Sequence, residues 1–428
     1  MRMVQILPGV AGAFYCENCI RDQTLVRELI RQGHDALVVP LYLPLAQESA
    51  AAPRRAPLFF GGINVYLQQK SAFFRRLPAW LTRPLDSPRL LRLAAGMASM
   101  MEPEDLGETT LSMLRGEDGR QAAELDRLVA WLASTEKPDV ICLSNVLLVG
   151  MARRLRAGLR TPIVCMLQDE DSFLDELPES HREAAWDVLR ERAAEVDAFV
   201  AVSRYFKGVM EKRLAVPPER IHVVHTGVPV AADAATSPPA MPTVGFLSRL
   251  CREKGLDLLV EAVIALRQSG RVPGLRLRVT GGHTPQDHAF IESVRRRLTE
   301  AGAESDAEFV SLAEGPERAA FFRGLSVFSV PEKRGEASGV CMLEALACGV
   351  PVIQQRHGVY PELVELTGGG LLYEPGDQAG LAAALERLLR DPAESRRMGE
   401  AGRQRVIEDF SPEAMVAKFV HVCEGISR

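Results

Sequence analysis

The chain has 428 residues, 47% hydrophobic and 25% charged, and its 51 Lys and Arg against 56 Asp and Glu leave a net charge of −5. That length exceeds one ordinary core and suits two domains of about 150–200 residues each. The mild acidity argues against a general nucleic-acid binder, although local basic patches stay open, and the apolar runs fall far short of the ~20 residues of a membrane span.

The opening MRMVQILPGVAGA has one Arg and a short apolar run, so it reads as a first strand and glycine turn rather than a signal peptide. An amphipathic helix follows to about Arg31, Gly33 ends it, and HDALVVPLYLP is the next strand. Between residues 45 and 125 the rhythm breaks. The stretch LFFGGINVYLQQKSAFFRR and the Met-rich LLRLAAGMASMMEP read as an insertion, a hairpin followed by helices. PDVICLSN, TPIVCML and VDAFVAVS then alternate with helical segments, which indicates a parallel sheet covered on both faces.

Residues 231–242 are Pro- and Ala-rich without periodicity, and read as a linker. Strand–helix alternation restarts at TVGFLSRL and runs to about 410. The expected architecture is α/β, two doubly wound Rossmann-like domains facing a cleft, over 1–230 and 243–410. A helix over 411–428 is expected to cross back to the first domain. Ligands of such sheets bind beyond the carboxyl ends of the strands. No internal repeat or low-complexity tract interrupts this pattern.

Cys16 and Cys19 form a lone C-x-x-C. A structural zinc would want a second pair, which is absent; a redox pair and two plain thiols in a first helical turn remain open. The other six cysteines lie in apolar segments, as reduced core thiols do.

Three stretches carry residues suited to chemistry. In PEKRGEASGVCMLEALACGVP the helix from Val340 to Cys348 is apolar on nearly every side, yet it holds Glu344. A buried carboxylate needs hydrogen-bond donors, either sugar or ribose hydroxyls or a nearby Arg. Glu336 falls in the loop just before, and Gly339 at the helix start, where free N–H groups and the dipole favour an anion. In VGFLSRLCREKG, Arg249 and Lys254 follow a strand and could clamp a diphosphate or simply form a solvated loop. In the first turn, Gly9 and Gly12 allow close approach to a phosphate or sugar, or serve a tight turn.

Together these motifs resemble the family 4, group 1 retaining glycosyltransferases of the GT-B fold. Glu336 and Glu344 fit the family's E-x7-E signature, and SRLCREKG resembles its Arg…Lys-Gly phosphate clamp. VVHTGV, LRVTGG, YPELVELTGGGLLYEPGD and the ending RRMGEAGRQRVIEDFSPEAMVAKF occur in the family's order. The resemblance implies a nucleoside-diphosphate sugar as donor substrate, no metal and no other cofactor. It implies that Arg249 and Lys254 hold the diphosphate, assisted by amides near Gly12, Gly339 and Val340. Glu336 would sit beside the donor sugar and Glu344 on the ribose. The acceptor would be a glycan, a lipid-linked sugar or another hydroxyl compound, with no nucleic-acid partner. A cytoplasmic location is expected, with peripheral contact to the inner face of the membrane as an option. The insertion resembles the starch and glycogen synthase branch; its Phe and Arg residues equally suit ordinary core and surface.

Three departures stand out. Ser338 replaces a frequent aromatic, the loop from Pro331 to Glu336 reads one residue longer than usual, and Gln168 and Asp169 stand where many members have a His. Asp169 or Glu170 would then touch sugar hydroxyls, or belong to a solvated acidic loop. A phosphorylase, a sugar-nucleotide epimerase and a non-catalytic sugar-nucleotide binder are the alternatives to a transferase.

Overall fold

The computed structural model describes residues 1–8, 17–42, 56–57, 59–60, 67–68, 71, 103–230, 239–311 and 315–426. The chain divides into two compact units. The first holds the amino-terminal strand, residues 18–225 and the segment from Val416; the bulk of the second is Thr226–Met415. No helix among the described residues is long and apolar enough to cross a membrane.

In the first unit six parallel strands run in the order β2-β1-β3-β4-β5-β6. They are β1 (Arg2–Leu7), β2 (Asp35–Pro40), β3 (Val140–Leu143), β4 (Ile163–Leu167), β5 (Ala198–Ala201) and β6 (Ile221–Val223). Every residue of VICL and IVCML is buried, as expected of central parallel strands covered by helices on both faces. The register Met3↔Val140 and Ile141↔Ile163 stacks them without offset. The hairpin expected near 58–69 lies largely outside the described residues, where only a parallel bridge of Leu41 to Phe59 is seen. Helices follow at Pro103–Leu114 and Ala122–Thr135.

The second unit repeats the plan with the order β12-β11-β10-β7-β8-β9. Its strands are β7 (Thr243–Leu247), β8 (Arg276–Thr280), β9 (Ala307–Phe309), β10 (Val327–Phe328), β11 (Val352–Gln355) and β12 (Gly370–Tyr373). The helix Leu256–Ser269 buries its apolar stripe, including Leu259, Val263 and Leu266, and stops at Gly270. Strands β8 and β9 lie on one side of β7, and β10 to β12 on the other. The order therefore reverses between β7 and β10, which pair through Val327↔Val244 and Phe328↔Gly245. The loops leaving these two strands open at that reversal, the position where doubly wound sheets hold ligands.

Those loops are pressed together. Gly255 has φ of +73°, and a Cβ there would stand 1.9 Å from the carbonyl oxygen of Pro331. Lys333 N donates to the Glu253 carbonyl at 2.8 Å, and its Nζ meets Asp257 at 2.8 Å. Val330 N donates to Gln354 Oε1 at 3.1 Å, and Val359 N to the Glu336 carbonyl at 2.9 Å. Replacing Gly255 by Ala combines an unfavourable φ with a backbone clash, and should destabilise the second unit by about 2–4 kcal/mol. Thermal melting of Gly255→Ala within a degree of the parent would refute this close approach.

Candidate functional site

Lys254 closes the short turn Arg252–Lys254 that follows β7. Its ammonium donates to Glu332 Oε2 at 2.5 Å and to Glu336 Oε2 at 3.0 Å, both from the loop after β10. The other Glu336 oxygen accepts from Ser338 N at 3.1 Å, Ser338 Oγ at 3.2 Å and Gly339 N at 3.3 Å. Burial alone would raise the pKa of this carboxyl. The Lys254 charge and the donors from Lys254, Ser338 and Gly339 outweigh burial and hold its pKa at about 2. Gly339, at φ +67°, then turns the chain into the helix Val340–Ala347, whose first residue, Val340, is buried.

Glu344 lies on that helix among seven buried residues, Val340–Leu343 and Ala345–Ala347. Of its two expected partners the structure supplies the arginine. Arg318, from the helix Gly315–Arg323, forks onto the carboxylate at 2.7 Å and 2.5 Å, with about a tenth of each side chain exposed. A carboxylate has about four acceptor positions and the fork occupies two, so two more donors can still be received. Arg249, five residues before Lys254, has its Nε on Cys251 Sγ at 3.2 Å; Lys254 and Arg249 use different partners.

The remaining predicted residues stand elsewhere. Gly12 and Cys16 lie outside the described residues, as does the expected amide contact at the first turn. Asp169 belongs to the first unit, exposed at φ +78°, with its carbonyl accepting from Ser172 Oγ at 2.8 Å. Glu170 corrects the picture of a solvated acidic loop: it is buried, and its carboxylate accepts from Val146 N at 3.0 Å and Gln168 N at 2.7 Å. It faces the core. Burial raises its pKa to about 7 despite the backbone donors of Gln168 and Val146. Arg21 is fully buried; among the described residues its Nη2 reaches the Val224 carbonyl at 3.4 Å while its Nε and Nη1 find no acceptor, and burial lowers its pKa. Gln168 bridges to Asp22 Oδ1 at 3.2 Å and to the Ser144 carbonyl.

Three residues of the second unit escaped sequence reasoning: Glu332, Arg318 and Gln354. Glu332 had a usable signal, because an acid four residues before Glu336 in a strand-to-helix loop can reach the same lysine. Arg318 had none, since its partner is twenty-six residues away on another helix. Gln354 sits in an otherwise apolar strand, VIQQ, and a polar residue buried there asks for a reason.

Comparison with known proteins adds two family matches. Residues 233–405 match the model of "Glycosyl transferases group 1", and residues 108–232 that of "Glycosyltransferase Family 4". A GDP-mannose-dependent alpha-(1-6)-phosphatidylinositol monomannoside mannosyltransferase of Mycolicibacterium smegmatis is 32% identical over 190 residues. The match takes in 43% of this chain and 48% of that protein. The chain thus spans about half the length of such a relative. Two solved structures share the fold end to end. Sucrose-phosphate synthase from Thermosynechococcus elongatus superposes with a TM-score of 0.71 at 19% identity, over 100% of this chain and 99% of that one. HepE of Anabaena in complex with UDP-glucose gives 0.70 at 15% identity, over 99% and 100%. At these identities the likeness establishes the fold, two Rossmann-like units of GT-B type.

The Glu170 shift has a direct consequence. A carboxyl whose folded-state pKa is raised contributes stability below its ordinary pKa, which is lost as pH rises through about 7. The melting temperature of Glu170→Gln relative to the parent should therefore improve by at least about 3 °C between pH 5 and pH 8. A difference independent of pH would show that Glu170 ionises normally.

Proposed function

We propose a reaction for this chain from one premise: it belongs to the group 1, family 4 glycosyltransferases. The reaction is transfer of a hexose-type sugar from a nucleoside-diphosphate sugar to a hydroxyl of a glycan, lipid-linked or small-molecule acceptor, with retention of configuration. The observation that carries this reading is the Lys254 ammonium, fixed by Glu332 and Glu336 at the reversal of the second sheet, next to the start of the helix bearing Glu344. The name of the mycobacterial relative specifies GDP-mannose, and the cyanobacterial neighbour holds UDP-glucose, so both donors are reasonable first candidates.

In this reading the ribose hydroxyls donate to the two acceptor positions of Glu344 that the Arg318 fork leaves over. Lys254 and Arg249 receive the diphosphate, assisted by the helix start at Val340. Glu336 holds Lys254 and the helix start in place beside the donor sugar. The anomeric C–O bond to the diphosphate breaks while the acceptor oxygen bonds to the anomeric carbon on the same face. The acceptor proton passes to a departing phosphate oxygen. Negative charge grows on the leaving group, and cations already fixed in place stabilise it without reorganising, which is where such a site gains most rate. Two cations from the chain take the place that a metal ion holds elsewhere, and we expect turnover in the presence of a chelator.

Isothermal titration without magnesium should show a nucleoside diphosphate binding. Lys254→Ala should weaken it at least tenfold, consistent with the ~1.5–3 kcal/mol of a charge-assisted contact. Unchanged affinity would remove Lys254 from the site. Glu344→Gln should weaken nucleoside diphosphates and leave inorganic pyrophosphate nearly unaffected; equal losses would contradict the ribose assignment. Slow hydrolysis of one member of a sugar-nucleotide panel distinguishes a transferase from a binder. Phosphorolysis with inorganic phosphate, or appearance of an epimer, would favour the other enzyme classes.

A further inference from the structure

Glu344 and Arg318 are joined more closely than neutralisation requires. Any cation nearby would neutralise the carboxylate; instead a guanidinium lies on both of its oxygens, at 2.7 Å and 2.5 Å. Such a fork fixes the plane of a carboxylate whose side chain otherwise rotates freely. A buried ion pair adds little net stability, because desolvation cancels most of the attraction. What the fork adds is orientation.

Arg318 is itself mounted on a rigid support. Phe321 and Phe322, three and four positions further on, share its face of the helix Gly315–Arg323, and both are buried. Phe322 packs edge-on against Phe328 of β10 with ring centres 5.3 Å apart, and the guanidinium of Arg278, on β8, lies 5.5 Å from the centre of the Phe321 ring. β10 is also the strand whose following loop carries Glu336. Both acids of the E-x7-E pair are thus referred to one strand, and the Glu344 carboxylate is aimed before a ligand arrives.

Resting on the ribose assignment of Glu344 under the proposed function, we propose that Arg318 is a positioning residue that sets the preference of the site for a ribose bearing its hydroxyls. The fork leaves acceptor positions on the carboxylate at a fixed place, partly open to solvent, where ribose hydroxyls donate to them. A sugar stripped of both hydroxyls leaves those positions empty. Without the fork the carboxylate turns, and each ribose that binds must first order it.

The test titrates the full chain with UDP and GDP and with their 2′,3′-dideoxy counterparts, and reads the ratio of dissociation constants for the base that binds. Both members of a pair carry the same diphosphate, so changes in anion binding cancel in the ratio. The parent should prefer the ribose form at least about tenfold. Arg318→Met should lower that preference at least about fivefold, and Arg318→Lys, which keeps the charge and loses the fork, at least about threefold. In a Glu344→Gln background Arg318→Met should change it by less than about twofold, because nothing is left to position. That double variant removes both members of the fork together, so the role stays measurable if Arg318→Met alone fails to fold. An unchanged preference in Arg318→Lys, or a full effect of Arg318→Met in the Glu344→Gln background, would overturn the proposal and leave Arg318 a neutralising partner. If the parent prefers neither form, or Glu344→Gln keeps the parent's preference, the ribose assignment itself falls and the positioning role with it, a pattern distinct from the other two.

Discussion

The second unit is organised around one ammonium group. Lys254 meets Glu332 and Glu336 across seventy-eight and eighty-two residues of sequence, and the three arrive together because β7 and β10 are neighbours in the sheet. Carboxylates this deeply buried are tolerated only with a cation and backbone donors around them. Removing Lys254 would leave two acids facing each other in a poorly hydrated place; removing an acid would loosen the lysine. The close approach of Gly255 to Pro331 belongs to the same arrangement, because a side chain at 255 would force the two loops apart. Charge, loop geometry and sheet order here form a single constraint.

Glu344 shows a second solution to the same difficulty. Its helix is apolar on every other side, and a lone carboxylate there would cost several kcal/mol. Arg318 removes that cost with a bidentate fork, yet keeps the carboxylate near the surface, where about a tenth of its area meets solvent. The two acids of the E-x7-E pair thus have unlike surroundings. Glu336 is enclosed by four donors and held strongly acidic, whereas Glu344 keeps acceptor positions in hand.

Much of the fold could be read from pattern. Near-continuous apolar runs such as VICL and IVCML became central parallel strands because both faces of such strands are buried, and this leaves a strong local signature. Gly349 and Pro351 ended the helix after Ala347 as their backbone preferences require. Residues close in sequence were also legible: Glu336, Ser338 and Gly339 meet within one turn. The pairing of Glu344 with Arg318 and of Lys254 with Glu332 was not, because each depends on which elements the sheet order places side by side. Glu170 misled for a related reason. An acidic run, QDEDS, looks solvated, and only the loop's geometry turns one of its members inward onto backbone amides.

The path of the chain carries a consequence for its biosynthesis. Val416, Phe419 and Cys423 are fully buried, and the segment they belong to completes the core of the first unit. A ribosome delivers that segment only after every strand of the second unit. The strands of the second unit are therefore synthesised while the first unit still lacks part of its core, and the first unit must wait for the segment from Val416. Premature termination near residue 410 would yield a chain whose later half folds and whose earlier half exposes an apolar groove to chaperones and proteases.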